Sequence, residues 1–126
     1  MYPEIFEKAD IRIKSPFMKW SENMDGNDWI KIAKFVEKSL KDKQVKGVII
    51  SHGTDFLHYT SSALSFMLGN LSKPVVLTYS QRCSDRVSSD SRLNLICSAH
   101  VALSDIAEVL LVGQAPINDN YCFAVG

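Results

Sequence analysis

No charge of either sign predominates in this sequence. Fourteen Lys and Arg stand against fourteen Asp and Glu, a formal net charge of zero at pH 7. That excludes a general electrostatic attraction to nucleic acid or to an anionic membrane. No apolar run approaches the ~18 residues needed to span a bilayer. The three cysteines, Cys83, Cys97 and Cys122, are odd in number and widely spaced, with no Cys-x-x-Cys pair. Neither a disulfide framework nor a zinc site follows from them. His52, His58 and His100 are scattered and form no metal constellation. The opening residues have no basic n-region and no apolar h-region, so a signal peptide is not expected. A reducing cytoplasm is the expected compartment, and no cofactor is expected.

What is present suits a packed core. Hydrophobic residues make up 46% of the chain and charged residues 22%. The length allows one domain, expected over residues 1–126. Residues 1–9 read as a lead-in helix or loop. Ile11 and Ile13 flank Arg12 in a short alternating run, expected as a weak strand. A polar loop, Trp20 to Met24, leads to a helix capped by Asn27 or Asp28. In it Trp29, Ile32, Ala33, Val36 and Leu40 recur at helical spacing. The opposite face carries Lys31, Lys34, Lys38 and Lys41. Glu37 and Asp42 interrupt these lysines, so they read as a solvated face.

Val48–Ser51, Val75–Thr78 and Val109–Val112 read as buried strands. A helix of small and apolar residues runs from Leu57 to a stop at Gly69-Asn70. A second runs from a cap at Ser88, Ser89 or Asp90 to about Ser104, with Leu93, Ile96, Cys97 and Val101 on one face. Asn118-Asp119-Asn120 reads as a turn, and Tyr121 to Val125 as the start of another strand. Alternating strands and helices with apolar strands predict an α/β fold. Its sheet is open, mostly parallel and flavodoxin-like, with helices on both faces. Its crossovers are expected to be right-handed.

The pivotal stretch is Gly47 to Tyr59. An apolar strand turns through Gly53 into a helix, and Thr54 and Asp55 fall at the junction. In an open parallel sheet this edge is where ligands bind. Helix N-termini add unpaired N–H groups and partial positive charge. Thr and Asp before a helix are equally ordinary N-cap residues. On spacing alone the capping reading is the favoured one.

Four stretches resemble the L-asparaginase/glutaminase family, in order and at sensible spacing. They are Ser21-Glu22-Asn23-Met24 before a Trp-containing helix, and His52-Gly53-Thr54-Asp55. The third is Lys73-Pro74-Val75-Val76-Leu77 with Gln81-Arg82, and the fourth is Ser88-Ser89-Asp90 with Asn94-Leu95. Gln-Arg-x-Ser-Asp-Arg-x-Ser-Ser-Asp is most similar to the D subunits of archaeal glutamyl-tRNA(Gln) amidotransferases. The resemblance implies part of an asparaginase N-terminal domain from a cytoplasmic amidohydrolase that frees ammonia from glutamine or asparagine. It also implies a homo-oligomer and a tRNA-binding partner subunit that receives the ammonia. Matched by position, Thr54 and Asp55 are the catalytic pair. Ser21 and Glu22, with Thr54 and Asp55, hold the amino acid's α-groups, and the carbonyl of Ser80 faces the substrate amide. These roles suit a zwitterion, whose ammonium needs carboxylate acceptors and whose carboxylate needs donors. A threonine hydroxyl also needs a nearby base before it can act as a nucleophile.

Two parts of the family pattern have no counterpart. No Thr-Gly-Gly-Thr-Ile-like segment supplies a first catalytic threonine. None of Lys31, Lys43, Lys46 or Lys73 stands in the context of the catalytic lysine. Phe56 stands where the family usually has threonine, Tyr79 where it has glycine, and Val87 where proline is frequent. Tyr79 is expected to crowd the amide pocket. The chain is therefore expected to be a truncated fragment, inactive alone. The alternatives are a fragment of a free L-asparaginase, a non-catalytic amino-acid-binding or interaction module, and a flavodoxin-like nucleotide binder. No Gly-x-Gly-x-x-Gly or Walker motif supports the last of these. Other residues have plain structural readings. His52 reads as a packed residue, Arg82, Asp85 and Arg86 as a salt-bridge loop, and Ser88-Ser89-Asp90 as a helix cap. Ser21 and Glu22 read equally well as a simple capping loop.

Overall fold

The computed structural model describes residues 7, 9–114 and 122–126. The turn expected at Asn118-Asp119-Asn120, and most of the lead-in expected over residues 1–9, lie outside these.

Helix α1, Gly26–Leu40, starts at Asp25 rather than at Asn27 or Asp28. The Asp25 carboxylate accepts hydrogen bonds from the Asn27 and Asp28 N–H groups, at 2.9 and 3.1 Å. The Asp28 carboxylate accepts the Asp25 N–H in return, at 3.1 Å. This reciprocal box satisfies donors that would otherwise be orphaned at the helix start. Lys19 adds an ion pair to Asp28 at 2.5 Å. The apolar stripe then buries Ala33 and Val36, with Ile32 and Leu40 packed beside them. At the other end, the Lys73 ammonium donates to the carbonyls of Leu40 and Asp42, each at 2.8 Å. A cation on the last carbonyls suits a helix C-terminus.

Strands β1, Val48–Ser51, β2, Val75–Thr78, and β3, Val109–Gly113, form where the apolar β-branched runs predict them. They lie in the order β1-β2-β3 and are parallel. Strand β4, Phe123–Val125, closes the far edge antiparallel to β3. All four residues of β2 are buried, as befits a central strand, whereas β1 at the other edge is only half-buried. Helices α2, Leu57–Met67, and α3, Ser91–Ala102, make the two crossovers.

Strand alternation divides the core into two layers. Val75, Leu77 and Val109 face α1 and α2, through Val36, Leu57 and Leu64. Val76 and Val112 face α3, through Ala102, Cys97 and Val101. The expected doubly covered, mostly parallel sheet is therefore what forms. One expectation is overturned. The chain steps in the same direction from β1 to β2 to β3, yet α2 and α3 lie on opposite faces. Same-direction parallel crossovers on opposite faces have opposite hands, so one of the two is left-handed, against the usual rule. The sequence offers no local signal for this, because both layers need the same alternating apolar strand pattern.

Two further expectations change. Residues 11–13 form no strand. Arg12 instead reaches Asp42 at 3.1 Å and Gln44 at 2.7 Å, and three alternating residues have no ladder partner here. On α3 the most deeply buried residues are Asn94, Ser98, Ala99 and Ala102. Cys97 and Val101 flank that face, while Leu93 and Ile96 line an open groove with Arg86 and Val87. Small side chains let the helix sit close on β2 and β3, which an apolar periodicity count does not anticipate.

Candidate functional site

The site lies past the C-terminal ends of the parallel strands. The ladder between β1 and β2 runs one residue beyond the strand, where the His52 N–H donates to the Thr78 carbonyl at 2.9 Å. The chain then turns at Gly53. A β-carbon on Gly53 would stand 2.6 Å from the Ser21 hydroxyl oxygen and 3.3 Å from the Ser21 β-carbon. Glycine is what allows this approach. Ser21 is buried, at the start of a short 3-10 helix, Ser21–Asn23. Two stretches about thirty residues apart in sequence are thereby brought into contact. Glu22 follows on the same turn, exposed to solvent.

Thr54 and Asp55 do not cap α2. Phe56 occupies the N-cap position in a left-handed conformation, φ 55°, and no side chain caps the helix. Thr54 and Asp55 are exposed, and among the described residues neither side chain has a hydrogen-bond or ion-pair partner. A hydroxyl and a carboxylate at this strand end are thus free to meet a ligand. A left-handed Phe is strained, and such strain clusters at ligand-binding turns.

His52 is structural. Its Nε2 lies 2.8 Å from the Thr60 hydroxyl and its Nδ1 lies 2.7 Å from the Gly53 carbonyl. The Trp29 ring N–H donates to the same Thr60 oxygen at 3.0 Å. With Trp29 donating, Thr60 donates to Nε2, and the hydrogen-bond pattern assigns the imidazole proton to Nδ1. The ring has no free nitrogen to act as a base.

Thr54 lines an open cleft of about 420 Å³. Tyr79 and Gln81 form its wall on the β2 side, and Gly113 and Phe123 its far side. The Tyr79 ring packs on Gly113, where a β-carbon would stand 2.5 Å from the ring. Its hydroxyl donates to the Gln114 carbonyl at 3.3 Å. Tyr79 therefore forms part of the cleft wall while anchored to the end of β3. Burial first, then the charge of Asp90 and the presence of Cys122, push the Tyr79 phenol above its ordinary range.

Ser80 lies between the two wall residues and is half-buried. Its hydroxyl oxygen lies 2.8 Å from Asp90 and close to the Arg82 carbonyl, two acceptors that share its single proton. Asp90 is buried and does not cap α3 with its side chain. Its carboxylate reaches back over the loop to accept the N–H groups of Gln81, at 3.0 Å, and Arg82, at 3.1 Å. Burial raises the Asp90 pKa, but these backbone bonds and the Ser80 hydroxyl outweigh it and hold the carboxyl below its ordinary range. Four residues on, the fully buried Asn94 donates to the Tyr79 carbonyl at 2.9 Å and to Asp90 at 3.1 Å. Its oxygen accepts the Gln114 N–H at 2.9 Å. Sequence reasoning gives Asp90 only a cap and Asn94 no role. The signal that could have found them is their spacing, two polar side chains at i and i+4 opening a helix.

The expected Arg82-Asp85-Arg86 salt-bridge loop does not form. Among the described residues these three make no ion pair with one another. Arg82 donates to the Ser88 carbonyl at 3.1 Å, while Asp85 and Arg86 are exposed. Solvated charges gain little by pairing. Among the described residues no group of three His, Cys, Asp or Glu could hold a metal ion, and no helix is long and apolar enough to cross a membrane.

Known proteins resemble this chain in sequence and in fold. The family model described as "Asparaginase, N-terminal" matches residues 1–119. The chain is 52% identical over 122 residues to the D subunit of glutamyl-tRNA(Gln) amidotransferase from Pyrococcus horikoshii, covering 97% of this chain and 28% of that protein. It is 45% identical over 120 residues to the D subunit of the same name in Archaeoglobus fulgidus, covering 95% of this chain and 28% of the relative. The chain thus spans little more than a quarter of the length of these relatives. The crystal structure of a probable cytoplasmic L-asparaginase from Campylobacter jejuni superposes with a TM-score of 0.81 at 24% identity. The match covers 98% of this chain and 47% of that one. That likeness shows the fold.

Proposed function

Because this chain belongs to the asparaginase family, we propose that it forms the substrate-facing part of a glutamine amidohydrolase supplying ammonia for Gln-tRNA(Gln) formation. The observation that carries the reading is Thr54. Its hydroxyl stands unpartnered among the described residues on the cleft wall at the end of β1, with Asp55 beside it. The names and identities of the amidotransferase relatives favour glutamine over asparagine as the amide donor. A tRNA-binding partner subunit, a homo-oligomer and a cytoplasmic setting belong to the same reading.

In the proposed reaction the Thr54 hydroxyl attacks the side-chain amide carbonyl once a base has taken its proton, and ammonia leaves. Asp55 and Glu22 accept hydrogen bonds from the ligand's ammonium, and Ser21 with nearby N–H groups receives its carboxylate. Among the described residues no lysine lines the cleft with Thr54; His58 does, as an exposed imidazole. His52 is committed to Thr60 and Gly53, and Lys73 to the end of α1. On this reading the isolated chain binds the amino acid without turning it over. That same feature also favours the second reading, a non-catalytic amino-acid-binding module.

Calorimetry with L-glutamine and L-aspartate, beside an ammonia-release assay, tests both. Binding that is lost in Thr54→Ala and Asp55→Ala, without ammonia release, is the expected result. Binding unaffected by either substitution overturns the site assignment. Turnover by this chain, abolished in Thr54→Ala, overturns the expectation that it binds the amino acid without turning it over.

A further inference from the structure

We propose that Asp90 and Asn94 are positioning residues that hold the Tyr79–Arg82 wall of the cleft so that the Ser80 carbonyl meets the ligand's amide. The inference rests on the amidohydrolase reading of the cleft and adds to it the device that sets amide selectivity.

A loop leaving a central strand has no ladder to hold it. Here four consecutive residues are held from one helical turn. Asn94 takes the Tyr79 carbonyl, at 2.9 Å. Asp90 takes the Ser80 hydroxyl at 2.8 Å, the Gln81 N–H at 3.0 Å and the Arg82 N–H at 3.1 Å. Both side chains are nine-tenths or more buried, and they bond each other at 3.1 Å. Asn94 also accepts the Gln114 N–H, so the end of β3 is fixed to the same pair.

This arrangement exceeds what capping needs. An N-cap carboxylate ordinarily accepts N–H groups of its own helix, and Asp90 gives its oxygens to the preceding loop instead. In the segment so held, the Tyr79 and Arg82 carbonyls and the Gln81 and Arg82 N–H groups are engaged. Among the described residues no donor reaches the Ser80 carbonyl. That carbonyl is flanked by the two residues that form the cleft wall. A fixed acceptor there recognises an –NH2 group and discriminates against a carboxylate, which offers it no hydrogen and repels it.

The test uses the whole chain, with L-glutamine and L-glutamate as probes. In the wild type, the Gln81 and Arg82 amides are expected to exchange with solvent roughly 100-fold more slowly than those of Cys83, Ser84 and Asp85. Asp90→Asn is expected to release both amides while β2 stays protected. It should also lower the preference for glutamine over glutamate about tenfold. Equal weakening of both ligands means a purely structural role and overturns the proposal, as does an unchanged ratio. If Asp90→Asn does not fold, Asn94→Ser removes the bonds to the Tyr79 carbonyl and to Asp90 and is expected to lower the preference as well. An unchanged preference there overturns the proposal. If the wild-type chain binds neither amino acid, the reading of the cleft fails and the selectivity role fails with it. The exchange comparison then separately supports or overturns the anchoring of the loop.

Discussion

Gly53 and Ser21 touch across about thirty residues of sequence, with no room for a side chain on the glycine. A β-carbon there would lie 2.6 Å from the serine hydroxyl oxygen. This contact joins the turn that carries Thr54 and Asp55 to the turn that carries Glu22. Gly53→Ala is expected to destabilise the chain by about 1–3 kcal/mol through overpacking. Adding Ser21→Ala removes the closer of the two clashing atoms and is expected to recover about half of that loss. Urea unfolding of the two single variants and the double variant measures the coupling, and strict additivity would contradict the contact.

Phe56 holds a left-handed backbone, φ 55°, at the entry to α2. That conformation costs a non-glycine residue about 1–2 kcal/mol. Its ring meets that of Tyr59, at 5.5 Å between centroids and near the surface. Phe56→Gly is expected to raise stability by about 0.5 kcal/mol, the relieved strain exceeding the lost ring contact. A lower unfolding midpoint in the glycine variant would show that Phe56 carries a packing role.

Three carboxylates make stability depend on pH in one direction. Asp28 is held below its ordinary value of 3.8, chiefly by the Lys19 ammonium. Asp42 is held below it chiefly by the Gln44 N–H. For Asp90, burial acts upward and is outweighed by the Gln81 and Arg82 N–H groups. In each case the unfolded chain takes up its proton first as the pH falls, so the folded state loses ground. Their contribution is present above the ordinary carboxylate value and disappears as the pH falls through the lowered folded values. The urea midpoint is therefore expected to stay flat from pH 7 to about 5 and to fall below about pH 4. Asp90→Asn removes one of the three groups, so it is expected to lower the midpoint at pH 7 and to flatten its acid dependence. A midpoint unchanged at pH 3 would contradict the assignment.

The cysteines should separate by reactivity. Cys83 is exposed, whereas Cys122 is half-buried. Burial, then its hydrogen bond with Cys97, then the charge of Asp90 push the Cys122 thiol up to about 12. The thiolate is the reactive species. Alkylation with iodoacetamide at pH 8, followed by peptide mass analysis, should label Cys83 first and Cys122 last. Early labelling of Cys122 would place it in a more polar setting than the one described.

Much of this was legible in the residues themselves. Val48–Ser51, Val75–Thr78 and Val109–Val112 are apolar runs of strand length, and the α1 stripe repeats at helical spacing. Burial is the dominant drive for both, and it leaves its period in the chain. Thr54 and Asp55 at a strand end, and Gly69 as a helix stop, were visible for the same reason, since short-range backbone preferences act over a few residues.

Tertiary structure decided what depends on partners far away in sequence. It made the Asp90 carboxylate a clasp for Gln81 and Arg82 instead of a cap for α3, because two donors left by β2 lay within reach. It committed His52 to Thr60, which Trp29 also bonds, set Ser21 beneath Gly53, and left residues 11–13 without a strand to pair with. It also set the hand of the crossovers, placing α2 and α3 on opposite faces. Local periodicity says which residues must be buried. Which face covers them, and which distant donor meets a given acceptor, is settled only when the whole chain packs.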